Sequence, residues 1–452
     1  MKTYDLIIIG SGAAGLRAGV YALESGYDTI ILEKRKVAGG NTRISDGGIA
    51  AYGTDWQRRD GIEDSFDRMK ADMLEAGLHR NNESLVDEVV KGSKEAFEWT
   101  RSIGVPYDGA VIQFGGHSVK RCYTPVPVSG STLVKKAEAA YRNLGGDLQK
   151  GSKVEDFIFL EGRVRGVRFR SPEDTVHTVH ARHGVIVASG GFGADQGFLN
   201  TIDKRYSTLD TTNVKGATAE MLKSAQSIGA DTVDLSEVQI APWTSPKEKG
   251  FGHAPKFGDY IALPKGILVN PDTCERFVDE LADRKRVADA VLALRKPAIA
   301  IADEKAVRNT GIDISKALKN GSVTTHDSLH ALAVDKHMDP EALKHTIKDF
   351  NKSFTTGKDE RFGKPLDNGA PIDTPPFYAM EVWPKIHYTM GGLRIDDRAR
   401  VLDKSHTPIE GLFAAGECTG GVHGASRLGS CAITDALVFG KRAAMSALGE
   451  LQ

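Results

Sequence analysis

No apolar run in the 452 residues reaches the roughly 20 positions that a membrane-spanning helix needs, so no membrane span is expected. Cysteine is sparse. Cys122, Cys274, Cys418 and Cys431 form no C-x-x-C pair, no zinc spacing and no C-x-x-C-H haem attachment site, which leaves them as reduced structural thiols and gives no metal site. Charge of one sign is also missing: 59 Lys and Arg stand against 60 Asp and Glu, a net charge of −1. That balance offers no electrostatic case for nucleic acid or for an acidic membrane surface. There is no internal repeat and no low-complexity linker. The chain enters a strand by about residue 4, which leaves no room for a signal peptide and points to the cytoplasm. A leader removed ahead of residue 1 would place it in the periplasm instead.

What the sequence has is glycine, 49 of them, clustered toward its two ends. Backbone packed closely against a ligand uses glycine in this way. Residues 5–9 form a short β-branched run, as in a strand buried on both faces. Gly10-x-Gly12-x-x-Gly15 follows, then an amphipathic stretch with Leu16, Val20 and Leu23, closed by Gly26 at a helix C-terminus. Residues 28–33 form a second buried strand ending at Glu33. A glycine fingerprint alone is weak; between a strand and a helix it marks a dinucleotide site. Gly10 makes the tight turn, Gly12 lets backbone approach a pyrophosphate, and Gly15 lets helix and sheet pack, with Ala13 and Ala14 in the first helical turn. Glu33, followed by Lys34, is placed to accept hydrogen bonds from ribose hydroxyls.

Downstream, Gly39-Gly40-Asn41-Thr42 to Gly47-Gly48 reads as a loop of small residues. Residues 60–103 are helical and charged, and 132–144 form another helix ending at Gly145-Gly146. Strands alternate over 153–169 around a Glu161-Gly162 turn. A buried strand over 183–188 runs into Ser189-Gly190-Gly191. From about 235 to 384 prolines, aromatics and charged helical pieces take over, and 411–444 returns to glycine-rich loop and helix. The expected plan is an α/β fold: a discontinuous Rossmann-like domain, 1–235 and 386–452, with an α+β capping domain over 236–385 inserted in it. The second glycine system, with Gly416-Glu417, encloses a large extended cofactor from both sides, which favours FAD over NAD.

Four segments carry a resemblance that spans most of the chain. They are Gly39-Gly40-Asn41-Thr42, Arg276-Phe277-Val278-Asp279-Glu280 with Arg284, His387-Tyr388-Thr389-Met390-Gly391-Gly392, and the run from Gly416 to Gly429 that contains His423 and Arg427. Together they resemble the flavoprotein family of soluble fumarate reductases and succinate dehydrogenase flavoprotein subunits, urocanate-reductase-like members included. The resemblance implies that the cap covers the flavin and that substrate lies between them. It implies FAD contacts at Val154, Ala188, Gly190, Arg427, Ser430, Ala432 and Ile433 besides the glycine segments. Asn41 stands where the membrane-bound members carry a flavin-linking histidine, which implies non-covalent FAD.

The same resemblance assigns Arg427 to a substrate carboxylate, His387 as its partner, and Arg284 as proton donor to the second carbon of a reduced C=C bond. Two departures stand out. The family's relay to the donor uses an acid and a second arginine; here Asp259 stands for the acid, with Tyr260-Ile261-Ala262 following and no second arginine, and Lys265 or Arg286 as substitutes. The family's second carboxylate-gripping histidine falls within Gln239-Ile240-Ala241-Pro242-Trp243, where the alanine cannot bind an anion and the neighbouring tryptophan favours an apolar or aromatic group. Trp243 and Tyr260 then line the substrate's far end, and an aryl-acrylate or urocanate-type acid is expected over fumarate. The reverse reaction, as in ketosteroid or tricarballylate dehydrogenases, and a non-catalytic electron-transfer flavoprotein stay open. No haem motif and no second dinucleotide fingerprint is present, so a separate electron donor is expected: a cytochrome, a quinol-linked protein or a flavin reductase.

Overall fold

The computed structural model describes residues 2–367 and 369–451, with Ser207 described by its backbone only. By packing, the chain divides into two units. The first comprises Met1–Ser207, Asn213–Val238 and Tyr388–Gln452; the second comprises Thr208–Thr212 and Gln239–His387.

The first unit opens with strand β1 (Lys2–Ile9), helix α1 (Ala13–Glu24) and strand β2 (Thr29–Glu33). Every residue of β2 is buried, as a parallel strand covered on both faces requires. Helix α1 stops at Gly26 (φ +85°), where Gly26 N–H donates to Leu23 O at 3.0 Å and Tyr27 N–H to Ala22 O at 2.9 Å. That pair of bonds satisfies the last carbonyls and needs a left-handed residue.

β1 and β2 belong to an eight-stranded sheet. Asp147–Lys150, β2, β1, Val176–Val187 and Pro408–Ala414 are parallel in sequence of neighbours, so all five send their carboxyl ends to one edge. The long strand Val176–Val187 divides its work. Its first half pairs antiparallel with Arg163–Arg170, and its buried second half lies beside β1 and Pro408–Ala414. Lys153–Leu160 and Arg163–Arg170 form the hairpin, with positive φ at both Glu161 and Gly162 as a tight two-residue turn demands. One expectation is corrected: the small-residue loop contains a short helix, Gly40–Ile44.

The second unit is built on a four-stranded antiparallel sheet, ordered Ile267–Val269, Ala298–Asp303, Phe377–Val382, Val323–His326. The strand Ala298–Asp303 is buried along its whole length and alternates strictly. Ala298, Ala300 and Ala302 face one core with Trp243 and Phe257, while Ile299 and Ile301 face another with Leu343 and Phe350. Small residues on one face make room for aromatics there, a direct use of the period of two.

The charged run 280–286 is divided between the core and the start of a helix. Glu280 is fully buried, accepting from Arg276 Nε at 2.9 Å and lying 3.4 Å from Lys364 Nζ. The helix begins only at Arg284 (Arg284–Ala293), capped by Asp283, whose carboxylate accepts from Arg286 N–H at 3.1 Å.

Candidate active site

The parallel strands dictate the cofactor half. β1 runs out into Gly10–Gly12, β2 ends at Glu33, Val176–Val187 runs into Ser189–Gly191, and Pro408–Ala414 runs into Gly416–Glu417. The topology thus brings segments 400 residues apart to the carboxyl edge of the sheet, where open α/β folds bind ligands.

At that edge the glycines fall into two kinds. A Cβ on Gly10 would sit 2.3 Å from Ala188 O, and one on Gly15 would sit 2.0 Å from Gly10 O. These glycines are required by the protein's own packing. Around Gly12 nothing lies closer than 3.8 Å, and around Gly190 nothing lies within 4 Å. Space that no protein atom fills, at the N-terminus of α1, fits a phosphate held by the first-turn N–H groups. Ala13 N–H already donates to Thr42 Oγ1 at 3.2 Å, which ties the Gly39–Thr42 segment to the helix start.

Glu33 is engaged differently from the sequence expectation of a ribose acceptor alone. One oxygen accepts from Ser11 N–H at 3.1 Å and from the Ser11 hydroxyl, and the other from Arg35 N–H at 2.9 Å. The carboxylate therefore also holds the glycine turn in shape. Lys34 reaches Thr218 and Glu220, each at 2.8 Å. Val154 is a buried residue of the hairpin, paired with Phe169. Ser430 is the left-handed N-cap of the helix Cys431–Ala447 that carries Ala432 and Ile433, and a Cβ on Gly48 would meet its Oγ at 2.8 Å. On Gly47 a Cβ would meet the Gly130 backbone.

Asn41 and Glu417 form the centre of a half-buried polar cluster. Asn41 Nδ2 donates to Glu417 at 3.1 Å and to Asn213, and Asn41 Oδ1 accepts from Val214 N–H at 3.0 Å. Glu417 also accepts from Thr389 N–H at 3.2 Å. Burial pushes the Glu417 carboxyl up, and the Asn41 amide offsets part of that rise. Thr389 Oγ1 beside it is buried and has no hydrogen-bond partner among the described residues. An orphaned hydroxyl next to Gly191 and Glu417 fits a polar cofactor edge, and with the open glycines it matches an FAD cradle. Cys418 is pushed up to about 12 by burial, so it is no thiolate nucleophile. All four cysteines are buried free thiols.

Arg427 lies in this first unit, 6% exposed. Its guanidinium stands 4.8 Å from the centre of the Tyr388 ring, and its Nη1 donates to Leu428 O at 3.1 Å. Tyr388 meets His423 edge-on, and His423 pairs with Asp435 at 3.2 Å, so His423 orders the loop. Behind the same loop lies a group that sequence reasoning missed. His117 Nε2 donates to Gly429 O at 2.8 Å, and Arg121 is held by Asp64 at 2.8 Å and by Asp72. Burial lowers the His117 pKa to about 4.

The second unit gathers the other predicted side chains around Trp243. The Arg284 guanidinium lies 4.2 Å from the Trp243 ring centre, and His387 meets the same ring edge-on at 5.4 Å. Asp259 Oδ2 is 4.0 Å from Arg284 Nη2. Asp259 stands on a π-helical turn, Gly258–Ala262, whose first residue must be glycine because a Cβ there would meet Trp243 O at 2.5 Å. Tyr260 packs at the border of the Trp243 core, Ala241 is fully buried in it, and Lys265 is half-buried and Arg286 exposed. His253 donates its N–H to Glu248 at 2.8 Å. Among the described residues no group of three or more His, Cys, Asp or Glu is arranged to hold a metal, and no helix is long and apolar enough to cross a membrane.

Comparisons with known proteins identify the family. The model of the FAD binding domain matches residues 5–433. The acrylate reductase flavoprotein subunit of Shewanella woodyi is 38% identical, over 98% of this chain and 91% of its own. The fumarate reductase (cytochrome) of Shewanella frigidimarina is 32% identical, over 98% of this chain and 76% of its own. The open conformation of a flavocytochrome c3 fumarate reductase superposes with a TM-score of 0.80 at 30% identity, covering 100% of this chain and 79% of that one. The chain belongs to the FAD binding domain family that includes the fumarate reductase flavoproteins, and it is an FAD-dependent oxidoreductase acting on CH–CH groups.

Proposed function

We propose that this flavoprotein reduces the C=C bond of an α,β-unsaturated monocarboxylate, with FAD held non-covalently. Non-covalent binding is supported by Asn41, an unreactive amide already engaged by Glu417, Asn213 and Val214. Bound FAD supplies two electrons as a hydride to one carbon of the double bond. Arg427 holds the substrate carboxylate through paired N–H donors, and its position over Tyr388 fixes the plane of the fork. His387 adds a donor where negative charge develops. Arg284 delivers the proton to the other carbon, with Asp259 beside it to restore that proton. Electrons reach the flavin from a separate donor.

One observation carries the choice of substrate: the Trp243 cluster. Trp243 is 3% exposed, with Arg284 over its face and His387 at its edge, and Ala241 beside it offers no donor. With Arg284 assigned to proton delivery and His387 to the first carboxylate, a second carboxylate has no dedicated donor there, and burying an anion without one costs several kcal/mol, on the order of 3–5. A ring that is already packed also offers no face for an aryl group. A compact acid such as acrylate or methacrylate fits better than an aryl-acrylate, urocanate or fumarate. The name of the Shewanella woodyi relative supports the same choice.

Titrating the oxidised enzyme with the saturated product acids tests this. Propionate should perturb the flavin spectrum, and the perturbation should vanish in Arg427→Ala. Tighter binding of succinate than of propionate would refute the monocarboxylate reading.

A further inference from the structure

Thr208–Thr212 packs with the second unit although the chain on either side of it belongs to the first. Four contacts hold it there. Ile386 N–H donates to Asp210 O at 2.9 Å, and Thr212 N–H to Ile386 O at 2.8 Å. Buried Lys385, 2% exposed, lies 3.3 Å from Asp210 and donates to Gly250 O at 3.0 Å. Asp210 also accepts from Gly250 N–H at 3.1 Å. The segment is thereby pinned alongside the strand Lys385–Thr389, and it delivers one hydroxyl to the imidazole: Thr212 Oγ1 is 2.9 Å from His387 Nδ1.

The distances favour one direction for that hydrogen bond. The Thr212 hydroxyl has one hydrogen, and the acceptors within reach are His387 Nδ1 at 2.9 Å and Ile386 O at 3.2 Å. Ile386 O already accepts from Thr212 N–H at 2.8 Å and from the Thr211 hydroxyl at 3.2 Å. Of its two acceptors Nδ1 is the nearer to the Thr212 hydroxyl, 2.9 Å against 3.2 Å, and we place the hydrogen there. An accepting Nδ1 makes neutral His387 carry its proton on Nε2.

We propose that Thr212 is a positioning residue that fixes His387 as the Nε2–H tautomer, so that the ring presents a donor, not a lone pair, without having to be protonated. The role in turnover rests on the reading above that His387 serves the substrate carboxylate; the tautomer itself does not. A neutral donor binds an anionic acid at pH values where an imidazolium would be scarce, and it needs no proton uptake.

The test uses FAD-loaded enzyme labelled with ¹⁵N-histidine, the His387 resonances being assigned by their loss in His387→Asn. Wild type should show the proton on Nε2 and an unprotonated, hydrogen-bonded Nδ1 above the ring's titration. Thr212→Val should mix the two tautomers and lower kcat/KM for the acid about tenfold with flavin content unchanged, and Thr212→Ser should restore both. A proton on Nδ1 in the wild type would overturn the proposal without any variant. An unchanged tautomer in Thr212→Val would overturn it too. If the tautomer shifts and turnover does not, the tautomer assignment stands and the assignment of His387 to substrate fails.

Discussion

The glycine turns of the first unit are fixed by backbone packing, whereas the second unit gathers charged side chains around one indole. At the carboxyl edge of the large sheet the decisive atoms are main-chain N–H groups and carbonyls, brought close by residues that have no Cβ. In the second unit Arg284, His387 and Asp259 are placed by their contacts with a single indole and its surroundings. A backbone site tolerates almost no substitution and binds whatever shares its shape, here the cofactor. A side-chain site can change partner by exchanging one ring for another while the frame stays. Within such a family the cofactor half should stay constant and the Trp243 cluster should set which acid is used.

The contrast breaks most sharply at Gly15. Gly15→Ala places a Cβ 2.0 Å from Gly10 O, and the protein should be recovered without flavin, read from the absence of its visible absorbance. Gly12→Ala sharpens the point, because its nearest neighbours are 3.8 Å away. Its melting free energy without FAD should change by less than about 0.5 kcal/mol, while FAD affinity should fall at least about tenfold. In the reaction, Arg427→Ala should lower kcat/KM for the unsaturated acid by about 10²–10³-fold, measured on protein with unchanged flavin content.

Smaller effects separate the supports of the two regions. Buried His117 is neutral in the fold with its pKa near 4, against 6.5 when unfolded. Between those values the unfolded chain binds the extra proton, so stability is fully present above about pH 6.5 and falls as pH drops toward 4, by about 3 kcal/mol in all. His117→Asn should flatten that part of the stability curve, measured by denaturant melts from pH 4 to 7. Trp243→Phe, which keeps a ring but shrinks it, should cost only a few-fold in kcat/KM for a small acid and should raise relative activity on cinnamate. A Trp243→Phe enzyme with unchanged selectivity would show that the indole is merely core.

The βαβ opening, the Glu161-Gly162 hairpin and the glycine-edge residues were legible in the sequence because each is local. A period of two or 3.6, a turn residue or a fixed glycine spacing carries the signal within some 30 residues. What escaped was held by distant partners. Glu280 looks like a surface charge until Lys364 and Arg276 are placed beside it. Thr212 has no sign of function in its own neighbourhood; 175 positions separate it from His387. His117 is 312 positions from the Gly429 carbonyl it supports. The short helix Gly40–Ile44 was hidden by glycines that usually mark loops. Trp243, expected to line the substrate's far end, has the Arg284 guanidinium 4.2 Å from its ring centre, a contact that no local pattern announces.

The central claim is that the flavin of this protein passes its electrons to a small unsaturated monocarboxylate. The direct measurement is stopped-flow reoxidation of the photoreduced, FAD-loaded enzyme under anaerobic conditions, mixed in turn with acrylate, methacrylate, cinnamate, urocanate and fumarate. Acrylate or methacrylate should reoxidise the flavin fastest, and Arg427→Ala should abolish that reoxidation. Fastest reoxidation by fumarate, or none by any acid while a redox protein partner reoxidises the flavin rapidly, would contradict it.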